Sequence, residues 1–356
     1  MNALRRTCAS LLASMILLLQ SSASVHAQLV YSGRVYSTRG PSWHQLREIH
    51  LSDGKDTALT DSERSHYQPR CTSDGATIFF LSSKSDSEDT FPQEIWRFDR
   101  STGTESLVFK PKLPPRESDN FFALAIWNLL GVSPDGRTIF FTRGSGEVDK
   151  FDVKQTRLAV RKDGSMPVLS PEAPRIALVG DDGRLRVIDA NGKVMKDFGD
   201  CDLPAWSKDG KRLACVSKNQ AVHTIDVANA VTTSSIALPP QRDHWDFATS
   251  ITWNPDGRSL LVGSNGSESN STSRYDDYWL LNLATRTWKH IDGGNDAVWS
   301  ADGSAIVYAS SRDLAPLPGG KHQEWVTQVK SAEVSTLRVR ILVGGLSYNG
   351  DPQWCP

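Results

Sequence analysis

The sequence lacks an excess of charge of either sign. Its 40 lysine and arginine residues are matched by 41 aspartate and glutamate residues, which gives a formal net charge of −1 at pH 7. No segment is rich in lysine or arginine. A chain of this kind has no long-range field that would attract nucleic acid or an anionic membrane. We therefore expect no nucleic-acid partner.

Short motifs typical of catalytic and cofactor sites are also missing. The sequence has no G-x-S-x-G, no H-E-x-x-H, no glycine-rich phosphate loop and no C-x-x-C pair. These absences argue against the nucleophile elbow of an α/β-hydrolase and against the zinc site of a metallopeptidase. They also argue against a phosphate-binding loop and a zinc site made of cysteine thiolates. No D-x-D-x-D-G calcium loop is present, although Asp276 and Asp277 could bind calcium together with backbone carbonyls. We expect neither a cofactor nor a metal.

Long apolar runs are scarce, and the one clear example lies near the first residue. Residues 11–19 are almost entirely apolar, follow Arg5 and Arg6, and precede the small-residue sequence Val25-His26-Ala27. This order predicts a secretory signal peptide over residues 1–27, and the alternative is an uncleaved anchor. We expect residues 28–356 to form a single periplasmic or secreted domain, with no membrane insertion after cleavage.

Cysteine is rare, and the predicted export to an oxidising compartment makes disulfides the expected state of the cysteines. One of the five cysteines lies in the predicted signal peptide, which leaves Cys71, Cys201, Cys215 and Cys355. An even number in an oxidising compartment favours two disulfides, for which three connectivities are possible. Buried free thiols are the alternative.

What the sequence does contain is a repeated phrase. Residues 204–217 read PAWSKDGKRLACVS, residues 251–264 read ITWNPDGRSLLVGS, and residues 297–310 read AVWSADGSAIVYAS. Seven copies can be aligned on the tryptophan position, which is occupied by Cys71, Val132, Leu169, Trp206, Trp253, Trp299 and Trp354. In most copies an Asp-Gly pair follows, which reverses the chain because glycine takes positive φ without cost.

Each copy predicts a set of short strands. Apolar runs after the Asp-Gly turn are rich in β-branched and aromatic residues, and a third and a fourth segment of strand type follow before the next copy. Four antiparallel strands in a unit of about forty residues are typical of a β-propeller blade. The sequence predicts an all-β propeller, with seven four-stranded blades favoured and six or eight as alternatives.

The two ends of the propeller domain complement each other. Residues 29–60 supply the second, third and fourth strands of a blade, and residues 351–356 supply only a first strand. One composite blade would therefore close the ring and cover both sheet edges. In that arrangement Cys71 and Cys355 lie on neighbouring innermost strands, and Cys201 and Cys215 flank one hairpin. We predict disulfides within these two pairs.

The repeats resemble those of TolB-like propellers, whose motif is close to P-x-W-S-P-D-G-x-x-I-x-F-x-S. Residues 204–217 fit this motif at almost every anchor, although tryptophan is replaced by Cys71, Val132 and Leu169, and Asp-Gly by Glu172-Ala173. The resemblance implies the propeller fold. It leaves function open, because this repeat family includes periplasmic interaction proteins, polysaccharide lyases and the propeller domains of serine peptidases.

The predicted binding face is the one that carries the long connections. Turns between first and second strands are short, whereas the long segments join second to third strands or one blade to the next. Functional loops tend to be long and to share one face of a rigid scaffold. The candidate binding residues in these segments are Arg116, Asp119, Arg242, Asp243, His244, Trp245, Tyr275, Asp277, Arg312 and His322.

Three functions are compatible with these residues. The favoured one is a non-catalytic scaffold that binds a protein or peptide through the long-loop face. The second is a lyase acting on acidic polysaccharide, with His244 as the base and Arg242 or Arg274 neutralising a uronate carboxylate. The third is a carbohydrate-binding propeller that exposes Trp245 and Tyr275 on its rim.

Overall fold

A computed structural model describes the chain as an almost wholly β protein. The described residues are 28–35, 43–50, 54–61, 64–84, 94–116, 118–133, 135–155, 157–162, 164–172, 174–239, 248–266, 275–310, 327–344 and 349–355. The predicted signal peptide, residues 1–27, lies outside them. The described residues contain 27 strands and one short helix, α1 (Asn120–Leu124). Within these ranges no helix is long and apolar enough to cross a membrane.

The strands form small antiparallel sheets, four of which have strands that follow one another along the chain. The first holds β4 (Arg64–Cys71), β5 (Thr77–Lys84), β6 (Glu94–Asp99) and β7 (Thr104–Phe109). The second holds β8 (Ile126–Val132), β9 (Thr138–Arg143), β10 (Val148–Asp152) and β11 (Arg157–Lys162). The third holds β12 (Ser165–Leu169), β13 (Ile176–Val179), β14 (Arg184–Ile188) and β15 (Val194–Asp200). The fourth holds β16 (Asp202–Trp206), β17 (Arg212–Ser217), β18 (Ala221–Asp226) and β19 (Val231–Ala237).

A longer sheet contains two such groups joined by one strand. Its strands are β20 (Ala248–Trp253), β21 (Ser259–Gly266), β22 (Tyr275–Asn282), β23 (Thr287–Trp299), β24 (Ala305–Ser310), β25 (Gln328–Glu333) and β26 (Val339–Val343). The first part of β23 pairs with β22, and its last part pairs with β24. Strand β23 is therefore the last strand of one group of four and the first strand of the next.

The remaining sheet joins the two ends of the described chain. It holds β1 (Gln28–Val35), β2 (Trp43–His50), β3 (Asp56–Ala58) and β27 (Asn349–Cys355). Strand β1 pairs with β27 in a register that places Gln28 opposite Cys355 and Leu29 opposite Trp354. The predicted composite sheet is therefore present, and the all-β class with four-stranded antiparallel units is confirmed. The number of blades stays a prediction, although dividing the long sheet at β23 gives seven groups of four.

The repeated turn has a reason in its hydrogen bonds. In the copy between β16 and β17, the Ser207 hydroxyl donates to Asp209 Oδ1 at 2.6 Å and accepts from the Arg212 amide at 2.9 Å. Asp209 also accepts from the Lys211 amide at 3.1 Å, and Gly210 has a φ of +59°. Serine, aspartate and glycine thus each satisfy one requirement of a tight reversal.

Neighbouring sheets pack face to face, and the tryptophan position ties them together. One core cluster combines Val216 and Val222 of one sheet with Trp253 and Val262 of the next, all buried. The indole of Trp253 donates to the Ala205 carbonyl of the preceding sheet at 3.0 Å. Such contacts explain why tryptophan recurs at this place in the repeat.

The cysteines are paired as predicted. Cys71 on β4 lies beside Cys355 on β27, with Cα atoms 5.7 Å apart. Cys201 and Cys215, which flank the β16–β17 turn, have Cα atoms 5.8 Å apart. Both separations lie in the range of a disulfide. The first pair links β27 to the next sheet, and the second links the residue before β16 to β17.

Candidate functional site

Most of the predicted site residues cannot be placed. Arg242, Asp243, His244, Trp245, Arg274, Arg312 and His322 lie outside the described residues. Tyr275 begins β22. The convergence of the predicted binding residues on one surface therefore stays a prediction. So do the lyase roles of His244, Arg242 and Arg274.

Three predicted residues have a described side chain. Arg116 and Asp119 are exposed and precede α1, which leads into β8, the first strand of its sheet. Asp277 lies on β22, the third strand of another sheet, and its carboxylate is 3.4 Å from Nε2 of His290. The structure thus places Arg116 and Asp119 near the start of a first strand and Asp277 on a third strand.

A cavity of about 620 Å³ collects residues from five different first strands. One lining residue from each of these strands is named here: Gln68 of β4, Asn128 of β8, Met166 of β12, Asp296 of β23 and Asp351 of β27. One cavity can be lined by the first strands of five sheets only if those strands surround it. The sheets are therefore arranged around a central channel, and we call this opening the channel cavity.

The channel cavity opens toward the connections between second and third strands. Gly144 and Gly146 of the β9–β10 turn line it, as does Gly164, which precedes β12. Because antiparallel strands alternate in direction, turns of this kind share a face with the connections that enter the first strands. This is the face that the sequence analysis favours.

Repeated bulges shape the wall of the cavity. Five residues, each three positions before the tryptophan position of its repeat, have φ between +50° and +55°: Gln68, Met166, Leu203, Asp296 and Asp351. The pairing register shifts beside each of them. A bulge redirects side chains of its strand and is common next to functional sites. Four of the five bulge residues line the channel cavity.

Hydrogen bonds connect three of the first strands at the cavity. The backbone amide of Gln68 donates to Asp351 Oδ2 at 3.2 Å. The side-chain amide of Gln68 donates to Asn128 Oδ1 at 3.1 Å. The Gln68 side-chain oxygen accepts from the Leu129 backbone amide at 2.8 Å. Gln68 therefore holds β4, β8 and β27 in a fixed relation.

The charged side chains of the cavity affect one another's ionisation. Burial lowers the pKa of Arg70 from its usual value, while the charges of Asp351 and Asp296 oppose that shift. Burial raises the pKa of Asp351, opposed by the hydrogen bond from Gln68 and the charge of Arg70. Both carboxylates therefore favour the charged form of Arg70. A second lining guanidinium, Arg143, is hydrogen-bonded to the buried carboxylate of Asp149 behind the wall.

An apolar rim completes the cavity. Trp127 of β8 is 44% exposed and Met166 is 47% exposed, as are several other large apolar side chains of the described residues. The β9–β10 turn approaches Trp127 closely, since a Cβ added at Gly144 would lie 2.5 Å from the indole nitrogen and 2.1 Å from the Phe122 carbonyl oxygen. Glycine is therefore required there.

These cavity residues were not among the predicted site residues. In the sequence, these cavity residues could have been found by comparing the repeats at the position three residues before the tryptophan. It varies among Gln68, Leu129, Met166, Leu203, Ser250, Asp296 and Asp351 while the turn after it is nearly constant. Over the described ranges, no group of three or more metal-ligating side chains is found.

Comparison with known proteins supports the fold and leaves function open. No family model matches the sequence, and no curated protein matches it. Among solved structures, TolB from Acinetobacter baumannii has a TM-score of 0.54 and 14% identity, over 96% of this chain and 70% of that one. A putative 6-phosphogluconolactonase from Bacteroides uniformis has a TM-score of 0.58 and 14% identity, over 92% and 99%. An oligogalacturonate lyase in complex with manganese has a TM-score of 0.56 and 14% identity, over 82% and 92%.

At this level of identity the three structures show the fold alone. The propeller class predicted from the repeats is confirmed by them together with the sheet order. The resemblance to TolB-like repeats remains a resemblance, because no family model supports it.

Proposed function

We propose that this chain is an exported, non-catalytic propeller that binds a peptide segment of a partner protein at its channel cavity. The observation that carries the proposal is the combination of an exposed tryptophan, an exposed methionine and coupled charges around one opening of about 620 Å³. Binding sites are typically concave, mostly apolar and supplied with a few fixed polar groups. Tryptophan is also among the residues that contribute most to binding energy.

The polar groups of the cavity favour binding over acid–base chemistry. Gln68 makes hydrogen bonds to two neighbouring first strands, and Arg70 interacts electrostatically with both carboxylates. Groups held by one another in this way give a rigid, pre-organised surface, which lowers the entropic cost of binding. Export is supported by the cysteine pairs, since disulfides persist in oxidising compartments.

The alternative is a lyase acting on acidic sugars, with His244, Arg242 and Arg274 as its residues. The observation that favours it is the similarity in fold to an oligogalacturonate lyase. A carbohydrate-binding propeller without catalysis would use the same fold. These alternatives require their own tests, because fold does not determine function.

The proposal is tested by selecting a phage-displayed library of random peptides on the full chain. Enriched peptides are then titrated by calorimetry against the wild type and the Trp127→Ala variant. We expect the variant to bind about thirtyfold more weakly, because a hot-spot tryptophan contributes about 2 kcal/mol. The matched control is Val231→Ala, which removes an apolar side chain that is 55% exposed on the outer strand β19 and should leave affinity unchanged.

Two outcomes would contradict the proposal. The first is that no peptide is enriched, or that enriched peptides bind the Trp127→Ala variant as tightly as the wild type. The second is release of unsaturated product from oligogalacturonate by the wild type but not by His244→Ala, which would establish the lyase.

A further inference from the structure

We propose that the channel cavity holds the bound peptide by one large uncharged side chain, aromatic or aliphatic, that packs against Trp127 and Met166. This inference rests on the proposed function and deepens it by naming the class of side chain that the cavity selects. Three observations support it: the position of the exposed apolar side chains, the hydrogen bonds within the cavity wall, and the effect of burial on the charges of the wall.

The exposed large apolar side chains of the described residues fall into two groups. Six of the nine lie on the outermost strands of their sheets, namely Leu107 of β7, Val194 and Met195 of β15, Val231 of β19, and Val339 and Ile341 of β26. The other three are Phe122 of α1, Trp127 of β8 and Met166 of β12. Both aromatic rings of the set belong to this second group, and Gly144 of the cavity lining lies against both residues. Exposed aromatic surface is therefore concentrated at the channel cavity.

One wall of the cavity runs from Trp127 to Met166. A Cβ added at Gly144 would lie 2.5 Å from the indole nitrogen of Trp127. A Cβ added at Gly146 of the same turn would lie 3.6 Å from the carbonyl oxygen of Gly164, two residues before Met166. Strands β8 and β12 also contribute Leu129, Leu130, Pro167, Val168 and Leu169 to the lining. A side chain that enters the cavity can therefore bury apolar surface along this wall.

Hydrogen bonds within the protein engage the uncharged polar side chains of the described lining. Gln68 makes the bonds given above. Asn128 donates from Nδ2 to Thr142 Oγ1 at 3.4 Å, and Ser165 Oγ donates to the Val179 carbonyl at 3.4 Å. An apolar side chain can bind beside these groups without breaking their bonds, whereas a polar side chain would exchange one hydrogen bond for another with little net gain.

The charged side chains of the described lining also have partners. Arg143 is hydrogen-bonded to Asp149, and Arg70 interacts electrostatically with Asp296 and Asp351. Burial lowers the pKa of Arg70 and raises the pKa of Asp351, so these surroundings disfavour positive and negative charge alike. A charged ligand group would meet the same cost and would compete for partners that are already engaged. The described lining therefore complements an uncharged group.

The experiment uses a peptide enriched from the library on the full-length protein. Each residue of the peptide is replaced in turn by alanine, and each variant is titrated by calorimetry against the wild-type protein. We expect one large apolar residue whose replacement weakens binding about tenfold or more, because a few buried anchors carry most of the binding energy. Neutralising the charged residues of the peptide, or raising the salt concentration about tenfold, should change affinity less than about threefold.

Substitutions at Met166 provide the matching measurement on the protein. Aspartate and leucine both suit this backbone, since Asp296 and Leu203 hold the same position of other repeats with φ of +55° and +54°, against +51° for Met166. We expect Met166→Asp to bind the peptide about tenfold more weakly than Met166→Leu. The control pair is Met195→Asp and Met195→Leu on outer strand β15, where the side chain is 51% exposed and neither change should alter affinity. Equal affinities of the two Met166 variants would overturn the inference.

Indole alone, added as a competitor, separates a free aromatic compound from a side chain within a peptide. We expect indole at the concentration of the peptide to leave most of the peptide bound, because the backbone and neighbouring side chains of the peptide add contacts of their own. Displacement of the peptide by indole at equal concentration would mean that a free aromatic compound is the ligand, and the peptide part of the inference would be wrong.

Failure of the inference differs from failure of the proposed function. Enriched peptides that depend on Trp127 for binding, but that lose affinity on neutralisation of a charged residue and on no apolar truncation, would overturn the inference and leave the proposed function intact. Absence of any peptide binding, together with no binding of indole, would overturn both.

Discussion

His66 is a histidine that the fold keeps neutral. It lies on β4 and is fully buried, with the ring of Phe80 at 4.6 Å between centroids and the carboxylate of Glu105 3.3 Å from its Nε2 atom. Burial lowers the pKa of His66, and the hydrogen bond and charge of Glu105 only partly oppose the shift. Protonation is therefore easier in the unfolded chain than in the folded one.

This difference predicts a loss of stability in mild acid. Below the ordinary histidine pKa of 6.5 the unfolded chain binds a proton that the folded chain does not, so the free energy of unfolding falls as pH falls. Each unit by which the folded pKa lies below 6.5 can remove up to about 1.4 kcal/mol. Urea unfolding at a series of pH values should show this slope in the wild type.

Two variants check the assignment of the slope to His66. His66→Gln should flatten the pH dependence below 6.5, because the titrating group is gone. Glu105→Gln should steepen it, because the neighbour that stabilises the charged imidazole is removed. An unchanged slope in His66→Gln would refute the assignment.

At the scale of the element, an arginine of one sheet clamps the tryptophan and turn of the next. The Arg212 guanidinium lies 4.4 Å from the centroid of the Trp253 ring and donates to the Gly257 carbonyl at 2.9 Å. Arg175 repeats the arrangement one sheet earlier, 5.1 Å from the Trp206 ring and 3.0 Å from the Gly210 carbonyl. The clamp joins consecutive sheets at the face of the Asp-Gly turns.

Removing this clamp should cost a measurable part of the stability. Arg212→Ala loses a cation–π contact and a charge-assisted hydrogen bond, which together contribute about 1–3 kcal/mol. Denaturant unfolding measures the loss. The control is Arg258→Ala, an exposed arginine beside the next turn, which we expect to change stability by less than about 0.5 kcal/mol. Equal losses in both variants would show that the clamp contributes nothing specific.

Strands and turns that depend on residues close together in the chain could be predicted from the sequence. The third strand predicted in each copy is present, as in β6 (Glu94–Asp99), and the Asp-Gly turns form as expected because their hydrogen bonds lie within a few residues. The helix α1 was not predicted, since five residues carry no readable helical period. The repeat pattern predicts a separate last strand in one unit and first strand in the next, whereas β23 serves as both and continues through Gly293 and Gly294 without a turn.

The channel cavity could not be predicted in the same way. Gln68, Met166, Asp296 and Asp351 come from four different repeats, and no local pattern marks them as neighbours. They meet because each stands at the same position of a bulged first strand, and the arrangement of sheets around a channel brings these positions together. The long loops have the more distinctive composition, whereas the channel cavity is lined mainly by strand residues.

At the scale of the whole molecule, the two cysteine pairs differ in what they constrain. Cys71 and Cys355 are 284 residues apart, whereas Cys201 and Cys215 are 14 residues apart. A cross-link that closes a longer loop removes more entropy from the unfolded chain. The first pair should therefore contribute more to stability than the second.

Double serine variants test this order. We expect Cys71→Ser with Cys355→Ser to lose up to about 5 kcal/mol, and Cys201→Ser with Cys215→Ser about 3 kcal/mol, measured by urea unfolding under oxidising conditions. Peptide mapping without reductant provides the control, because it identifies each linkage directly. A larger loss from the second double variant, or free thiol at Cys355 in the wild type, would contradict the expectation.

The pairing of β1 with β27 has a consequence during synthesis of the chain. While a ribosome is still adding residues, β1 can find β2 but has no partner on its other side, because that partner is the last described strand of the chain. The nascent protein thus carries an uncovered strand edge that invites association with other chains. Such distant pairing is also slow. We therefore expect the nascent chain to need shielding until β27 has been synthesised.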